Sequence, residues 1–202
     1  MIDYLCHVCA KISLLFYPFW LSEKIKKGKN KIVSYRFKIH VKASGKINIV
    51  APIYIVGYRY MSIGESFTSG PGLRMECIDK YDDNCYTPSL KIGNNVHLNF
   101  NCHIGCIKKI IIDDNVLMGS NVLITDHSHG NSSIDDLNIH PELRALVSKG
   151  PVKIEHDVWI GENVSVLPNV TIGHNSIIGA NTVVNKNIPP YSIAVGNPLK
   201  IL

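Results

Sequence analysis

The sequence lacks an apolar run long enough to cross a membrane. Its one candidate is residues 5–21, which Lys11 interrupts and Pro18 breaks, whereas a spanning helix needs about 20 apolar residues. A secretory signal is not expected either, because Asp3 stands where such signals carry basic residues and no small-x-small cleavage site follows. We therefore expect a cytoplasmic protein.

Cysteines at the density of a disulfide framework are also missing from this chain of 202 residues. Cys6 and Cys9 have the spacing of zinc ligands, and residues 102–106 hold two more cysteines and a histidine. No second pair stands at the spacing of a zinc finger or ribbon. We predict reduced thiols and no metal.

Excess charge of one sign is confined to the N-terminal part. Residues 1–46 hold ten Lys/Arg against Asp3 and Glu23, while the remainder holds eleven against fourteen acidic residues. Because the excess of positive charge is confined to this part of the chain, it argues against nucleic-acid binding. An apolar, aromatic segment followed by the lysines of "KIKKGKNK" indicates a helix lying on an anionic membrane surface through residues 1–31. A helix that caps the end of the fold is an equal and compatible interpretation.

What the sequence does contain is a repeat of period six. The repeat is apolar at Ile92, Leu98, Ile104, Ile112, Met118, Ile124, Ile154, Ile160, Val166, Ile172, Ile178 and Val184. Four residues after most of these comes a small or branched residue, and glycine often stands in second position. Period six fits neither an amphipathic helix nor an ordinary sheet, and it is typical of a parallel β-helix. Both apolar positions should face inward, with Gly and Asn at corners where a positive φ is easily adopted.

Departures from the repeat suggest the domain limits. We predict an N-terminal, partly helical segment at 1–46, a β-helix at 47–188 and a tail at 189–202. Two extra residues precede Ile112, irregular residues occupy 81–91, and a long loop at about 126–151 leaves the prism. Long loops on a rigid scaffold are commonly functional, and this one begins Asp-His-Ser-His.

The hexads, "ITDHSHG" at the loop exit, "VWIGENVSVLPNVTIG" on re-entry and "KNIPPYSIAVGNPLKIL" at the end resemble the hexapeptide-repeat acyltransferases. The branch with maltose and galactoside O-acetyltransferases and polysaccharide or O-antigen O-acetyltransferases is the most similar. The resemblance implies a left-handed parallel β-helix, a homotrimer, and acetyl-CoA bound between adjacent prisms. It covers residues 90–202 well and 47–89 loosely.

The resemblance also assigns candidate site residues. His127, at the root of the loop, matches the general base, a role that suits a neutral imidazole because it can accept a hydroxyl proton. Asp126 and His129 could orient that ring, contact the acceptor or close the loop turn. Asn99 matches a residue that reaches the active site of a neighbouring subunit. The other histidines of the repeat (His97, His103, His156 and His174) are interpreted as solvated corner residues.

For coenzyme A the resemblance points to one set of residues, in which the glycines allow close approach of the pantetheine arm and the lysines face phosphates. The set is Gly119, Trp159, Gly161, Glu162, Gly179, Ala180, Asn185, Lys186 and Lys200. Many relatives have Ser at the position of Glu162, so a backbone N–H would have to stabilise the oxyanion.

We therefore expect an acetyl-CoA-dependent O-acetyltransferase that modifies a sugar hydroxyl in surface polysaccharide or lipopolysaccharide biosynthesis, peripheral on the inner face of the membrane. N-acetylation of a nucleotide-linked amino sugar, acetylation of a xenobiotic, and a non-enzymatic β-helical interaction module are the alternatives. A metal enzyme on this scaffold would need three converging histidines; His127 and His129 could supply two, but the sequence shows no obvious third.

Overall fold

The computed structural model describes residues 2–16, 18–131 and 133–202. Two helices come first, α1 (Ile2–Phe16) and α2 (Phe19–His40). Pro18 separates them, as the N-cap of α2, because proline cannot continue a preceding helix. Two residues of the predicted interfacial segment, Met1 and Tyr17, lie outside the described residues.

Short strands make up the rest of the fold, with 3-10 turns at Tyr58–Tyr60, Asp135–Asn138 and Pro141–Leu143. In chain order the strands are β1 Lys42–Ala43, β2 Ile47–Ile49, β3 Ile53–Val56, β4 Met61–Ile63, β5 Phe67–Ser69, β6 Leu73–Cys77, β7 Lys80–Tyr81, β8 Asn84–Cys85, β9 Leu90–Ile92, β10 His97–Leu98, β11 His103–Cys106, β12 Ile110–Ile112, β13 Leu117–Met118, β14 Leu123–Thr125, β15 Ser128–His129, β16 Leu146–Val147, β17 Val152–Ile154, β18 Trp159–Ile160, β19 Ser165–Val166, β20 Thr171–Ile172, β21 Ile177–Ile178, β22 Val183–Val184, β23 Ile193–Val195 and β24 Lys200–Ile201.

Twenty of these strands form the three faces of a prism. Face A has the order β1-β4-β9-β12-β17-β20, face B β2-β5-β10-β13-β18-β21-β23-β24, and face C β3-β6-β11-β14-β19-β22. The chain visits faces A, B and C in turn and pairs each strand in parallel with the strand one coil away. The exception is β24, which folds back antiparallel on β23, so the last residues extend face B. The coils begin at β1, before residue 47.

The two apolar positions of each hexad fill one continuous core, as the repeat predicts. Val116 and Met118 are fully buried in one coil, and Val158 and Ile160 in the next. Each coil alone would leave its inner face in water, so neighbouring coils stabilise one another by burying it.

Asparagine occupies the left-handed corner positions. Along the corner between faces B and C, Asn101, Asn121, Asn163 and Asn181 all have φ near 55°. Their side-chain amides bond from coil to coil at 3.0–3.3 Å. The asparagines therefore allow the tight turn and also link the coils.

The second-position glycines serve a different purpose from the one expected, since none of them has a positive φ. A Cβ on Gly119 would lie 2.7 Å from the backbone nitrogen of Glu162, and one on Gly161 would lie 2.7 Å from that of Ala180. A side chain here would collide with the backbone of the next coil. Close stacking of the coils, not a left-handed turn, requires glycine at these two positions.

The C-terminal part of α2 caps the first coils. Phe37 is buried and stacks on Phe67 at 6.4 Å between ring centroids, and the Ser34 hydroxyl accepts a 2.9 Å hydrogen bond from the Ile49 amide. Burying one such aromatic side chain contributes about 1.5–3 kcal/mol. The capping contacts thus come from Ser34 and Phe37, which follow residues 1–31, whereas Phe19 and Trp20 within that segment are exposed. Among the helices of the described residues, none is both long enough and apolar enough to cross a membrane.

The loop that leaves face C after β14 is held by a strand pair of its own and by hydrogen bonds to the segment after β6. Its strands β15 and β16 pair antiparallel. The irregular residues after β6 form the hairpin β7–β8, and the Tyr81 hydroxyl donates to the Glu142 carbonyl at 2.8 Å. The Leu146 amide donates to the Tyr86 hydroxyl at 3.0 Å. The irregular segment thus holds the long loop in place.

Candidate active site

His127 lies where the chain leaves the prism between faces C and A. Ile124 points into the core, and Asp126 and His127 follow directly after β14. The His127 side chain is 13% exposed, and its Nδ1 lies 3.0 Å from Asp126 Oδ1. An imidazole and a carboxylate therefore form a pair at the root of the loop.

Asp126 is completely buried but fully bonded. Its oxygens accept hydrogen bonds from the backbone amides of Ile107 at 2.9 Å, Lys108 at 2.8 Å and Lys109 at 2.7 Å. These amides belong to the segment with two extra residues before Ile112, so the insertion forms a turn around the carboxylate. Burial acts to raise the pKa of Asp126, but the bonds from His127 and the three amides outweigh it and hold the pKa below its ordinary value.

An ionised Asp126 decides the tautomer of His127. A carboxylate accepts hydrogen bonds and donates none, so His127 Nδ1 must carry the proton that it shares with Asp126. The lone pair of the neutral ring is then on Nε2. Asp126 lies too deep to contact an acceptor, and its position suits orientation of the ring.

A cavity of about 530 Å³ opens beside His127 on face C. It is lined by polar, aromatic and apolar side chains from four coils and the loop: Tyr54, Val56, Arg74, Glu76, Ile78, Tyr81, His103, Gly105, Leu123, Thr125, His127, Ser128, His129 and Leu146. His129 lies at its edge, with its ring 5.3 Å from that of Tyr81 in an edge-to-face contact. A hydroxyl-bearing substrate can therefore reach the imidazole of His127.

His103 is part of this cavity, and its interpretation as a solvated corner residue is wrong. It stands on β11, one-third exposed, with Nε2 2.9 Å from Glu76 Oε2. Arg74 Nε lies 2.6 Å from the same oxygen. Register across the coils brings these residues together, since Arg74 pairs with His103 and Glu76 with Gly105. Alignment of the weak early coil with the later hexads is the signal that could have revealed this cluster.

The other three corner histidines also have partners. His97 Nδ1 lies 2.6 Å from the Thr68 hydroxyl. The rings of His156 and His174 stack at 4.9 Å, beside the carboxylates of Asp157 and Glu155 respectively. Among the described residues, no group of three or more His, Cys, Asp or Glu side chains is arranged to hold a metal ion.

Seven of the nine predicted coenzyme A residues lie at two different corners of one prism. Five of them occupy the corner between faces B and C: Gly119, Gly161, Glu162, Gly179 and Ala180. Asn185 and Lys186 follow β22 at the corner between faces C and A, the same corner as His127. Trp159 points outward from face B and is 52% exposed, and Lys200 lies on β24 at the end of that face.

Asn99 follows β10, at the corner between faces B and C. Face C therefore separates it from His127 of the same chain. The cavity beside His127 is built without Asn99 and without the predicted coenzyme A residues.

Comparison with known proteins identifies the family. The model described as bacterial transferase hexapeptide (six repeats) matches residues 151–186. The sequence is 38% identical over 155 residues to a putative lipopolysaccharide biosynthesis O-acetyl transferase, WbbJ, of Escherichia coli strain K12, covering 75% of each chain.

Solved structures share the fold. A maltose O-acetyltransferase from Clostridium difficile 630 is 27% identical, with a TM-score of 0.54 over 88% of this chain and 84% of that one. AntD, an N-acyltransferase from Bacillus cereus solved with dTDP and 3-hydroxybutyryl-CoA, is 20% identical, with a TM-score of 0.67 over 83% and 85%. The architecture is thus that of a left-handed parallel β-helix, as predicted.

The fold and the relatives define an acyltransferase built on a left-handed β-helix. The chain belongs to the hexapeptide-repeat acyltransferase family, in the branch with the O-acetyltransferases.

Proposed function

We propose that this acetyltransferase moves an acetyl group from acetyl-CoA to a hydroxyl group of a sugar, with His127 as the general base. The observation that carries the proposal is the His127–Asp126 pair, which leaves Nε2 as the basic nitrogen at the edge of an open cavity. The names of the relatives WbbJ and maltose O-acetyltransferase support transfer to oxygen in a saccharide.

The chemistry needs one proton acceptor. His127 Nε2 removes the proton from the acceptor hydroxyl while its oxygen attacks the thioester carbonyl, which forms the C–O bond. The tetrahedral intermediate collapses with cleavage of the C–S bond, and the imidazolium returns the proton to the sulfur of coenzyme A. Asp126 stabilises the imidazolium, and general-base assistance contributes on the order of 10² to 10⁴ in rate.

Acetyl-CoA is the donor in this proposal, and its site requires two chains. The corner with Gly119, Gly161 and Gly179 would form one wall, and the corner with His127 and Lys186 of a neighbouring subunit the other. Because glycine has no side chain, the pantetheine arm can approach the first corner closely. The ammonium group of Lys186 suits a phosphate. Trp159 would lie along this groove, and Asn99 would reach the neighbour's site.

A homotrimer would also cover an apolar column on face B. Leu117, Trp159, Ile177 and Ile193 occupy outward positions of successive coils, and each is at least 36% exposed. Contiguous exposed apolar surface of this kind is typical of a protein interface. Light scattering should give three times the 22.5 kDa chain mass. A monomer that still turns over acetyl-CoA would contradict the two-chain site.

We further propose that residues 1–31 bring the enzyme to an anionic membrane surface, on the inner face, where surface polysaccharide or lipopolysaccharide precursors are handled. Phe19 and Trp20 are more than 60% exposed. The Lys24 ammonium lies 5.0 Å from the Trp20 ring centroid, and further lysines follow to Lys31. Exposed aromatic side chains beside lysines fit a layer of anionic headgroups.

The test is thiol release from acetyl-CoA in the presence of methyl glycosides and of matching amino sugars. We expect release with hydroxyl acceptors, and a loss of about hundredfold or more in kcat for His127→Ala. His156→Ala, an exposed histidine outside the cavity, is the matched control and should keep full activity. Transfer only to the amino group would overturn O-acetylation, and full activity of His127→Ala would overturn the general base.

A further inference from the structure

The Arg74–Glu76–His103 cluster lies beside His127. Gly105 separates the two, because a Cβ placed on it would be 3.2 Å from His127 Cε1 and 3.7 Å from His103 Nε2. Both imidazoles therefore lie within 4 Å of one point above Gly105. A ligand that brings an oxygen to His127 must pass over or against this cluster.

The cluster has hydrogen-bonding capacity that the fold does not use. Glu76 is 12% exposed, and both contacts, from Arg74 Nε and His103 Nε2, go to its Oε2. Within the part of the chain that the structure describes, Oε1 has no hydrogen bond. When the neutral His103 ring donates from Nε2, its Nδ1 can accept. The half-exposed Arg74 keeps its terminal N–H groups for a further partner.

An aromatic surface completes this part of the cavity. Tyr54 is 56% exposed and stands in the outward column of face C next to Arg74, with the guanidinium 5.8 Å from its ring centroid. An exposed ring face beside paired donors and acceptors suits a flat apolar ring surface with hydroxyl groups at its edge.

We propose that Glu76 and His103 form the acceptor subsite, binding hydroxyl groups of an uncharged sugar ring that stacks against Tyr54 and presents another hydroxyl to His127. This inference rests on the proposed sugar O-acetyltransferase function. Glu76 and His103 are specificity-determining residues in this assignment, and the reacting proton still goes to His127.

Charge distinguishes a neutral sugar from an acidic one. The Arg74 guanidinium is offset by the Glu76 carboxylate at 2.6 Å. Burial lowers the pKa of His103 below its ordinary value, against the opposing effect of the Glu76 hydrogen bond, so the ring is neutral near pH 7. The cluster thus carries no net positive charge, whereas recognition of a carboxylate or phosphate uses unpaired cations.

The experiment compares Glu76→Gln and His103→Asn with the wild type, using methyl hexopyranosides and the corresponding methyl hexopyranosiduronates as acceptors. His156→Asn is the matched control, because His156 also bonds a carboxylate, that of Asp157 at 2.8 Å, but lies outside the cavity. We expect the KM for the neutral glycoside to rise about tenfold or more in both variants. The KM for acetyl-CoA and the melting temperature should match the control.

A second measurement varies the acceptor. Deoxy analogues of the methyl glycoside, tested on the wild type, should reveal one or two hydroxyls other than the acetylated one whose removal raises KM about tenfold. In Glu76→Gln that penalty should shrink for one position. Unchanged KM in both variants, or a preference for the uronates, would overturn the subsite. Wild-type enzyme that acetylates no sugar would instead overturn the proposed function itself.

Discussion

Asp126→Asn tests how far the site depends on one buried carboxylate. The carboxylate accepts from a pair of N–H donors at each oxygen, Ile107 N–H and His127 Nδ1 at Oδ1, and the Lys108 and Lys109 amides at Oδ2. The Cys106 thiol is a third, weak donor to Oδ2 at 3.4 Å. Asparagine keeps one oxygen and replaces the other with an NH₂ donor. One pair of donors must therefore lose its acceptor.

The structure indicates which pair. If the amide oxygen replaced Oδ1, two backbone N–H groups would face an NH₂ group. If it replaces Oδ2, only the Ile107 N–H is left without an acceptor, because the His127 ring can move its proton to Nε2 and accept at Nδ1. An unsatisfied buried donor costs about 1–3 kcal/mol, so the second orientation is favoured by about that amount.

The expected result is a folded but inactive enzyme. The Ile107 N–H loses its acceptor, and the remaining hydrogen bonds go to a neutral amide instead of a carboxylate. Together these changes lower the free energy of unfolding by about 3 kcal/mol. For a domain of this size, that corresponds to a fall of about 6–12 °C in melting temperature. The switched tautomer leaves no lone pair on Nε2, so kcat should fall about 10²- to 10⁴-fold. Thiol release at saturating acetyl-CoA and thermal melting by circular dichroism measure the two effects.

Asp157→Asn is the control, since Asp157 contacts the ring of His156 in a similar way but lies exposed on the corner between faces A and B. It should change neither activity nor melting temperature appreciably. Wild-type kcat in Asp126→Asn would refute the reasoning, because it would mean that the His127 tautomer does not depend on Asp126.

Two further predictions concern pH and the N-terminal segment. The His174 hydrogen bond, followed by that of Lys153, lowers the pKa of Glu155 from 4.5 to about 2. The folded pKa is below the unfolded one, so this stabilisation is present above pH 4.5 and is lost as pH falls toward 2. The melting temperature of Glu155→Gln should fall less steeply over that window than that of the wild type, and parallel curves would show that the pair contributes nothing. For the second, the intact chain should sediment with phosphatidylserine-containing vesicles, less so at higher salt, whereas a chain without residues 1–31 should stay in the supernatant and keep its transfer activity. Failure of the intact chain to sediment would exclude the membrane contact.

The sequence alone determined the coil and marked the place of the candidate site. A strict period of six predicts which side chains point inward, because each short strand alternates its side chains and every coil repeats the same three faces. The hexads from Ile92 to Val184 accordingly have the predicted buried positions. The break after Ile124 likewise marked the loop root with His127, since a departure from a rigid repeat can be seen without a structure.

Only the tertiary structure decided the partners within the site. Asp126 meets amides 17 to 19 residues away, and His103 meets a carboxylate 27 residues away. These contacts depend on how many residues each insertion adds between coils, and the repeat does not specify that spacing across the irregular segments. The role of the second-position glycines was likewise decided only by the tertiary structure. A glycine that allows a turn and a glycine that allows two coils to approach look identical in sequence, and the distance to the next backbone distinguishes them.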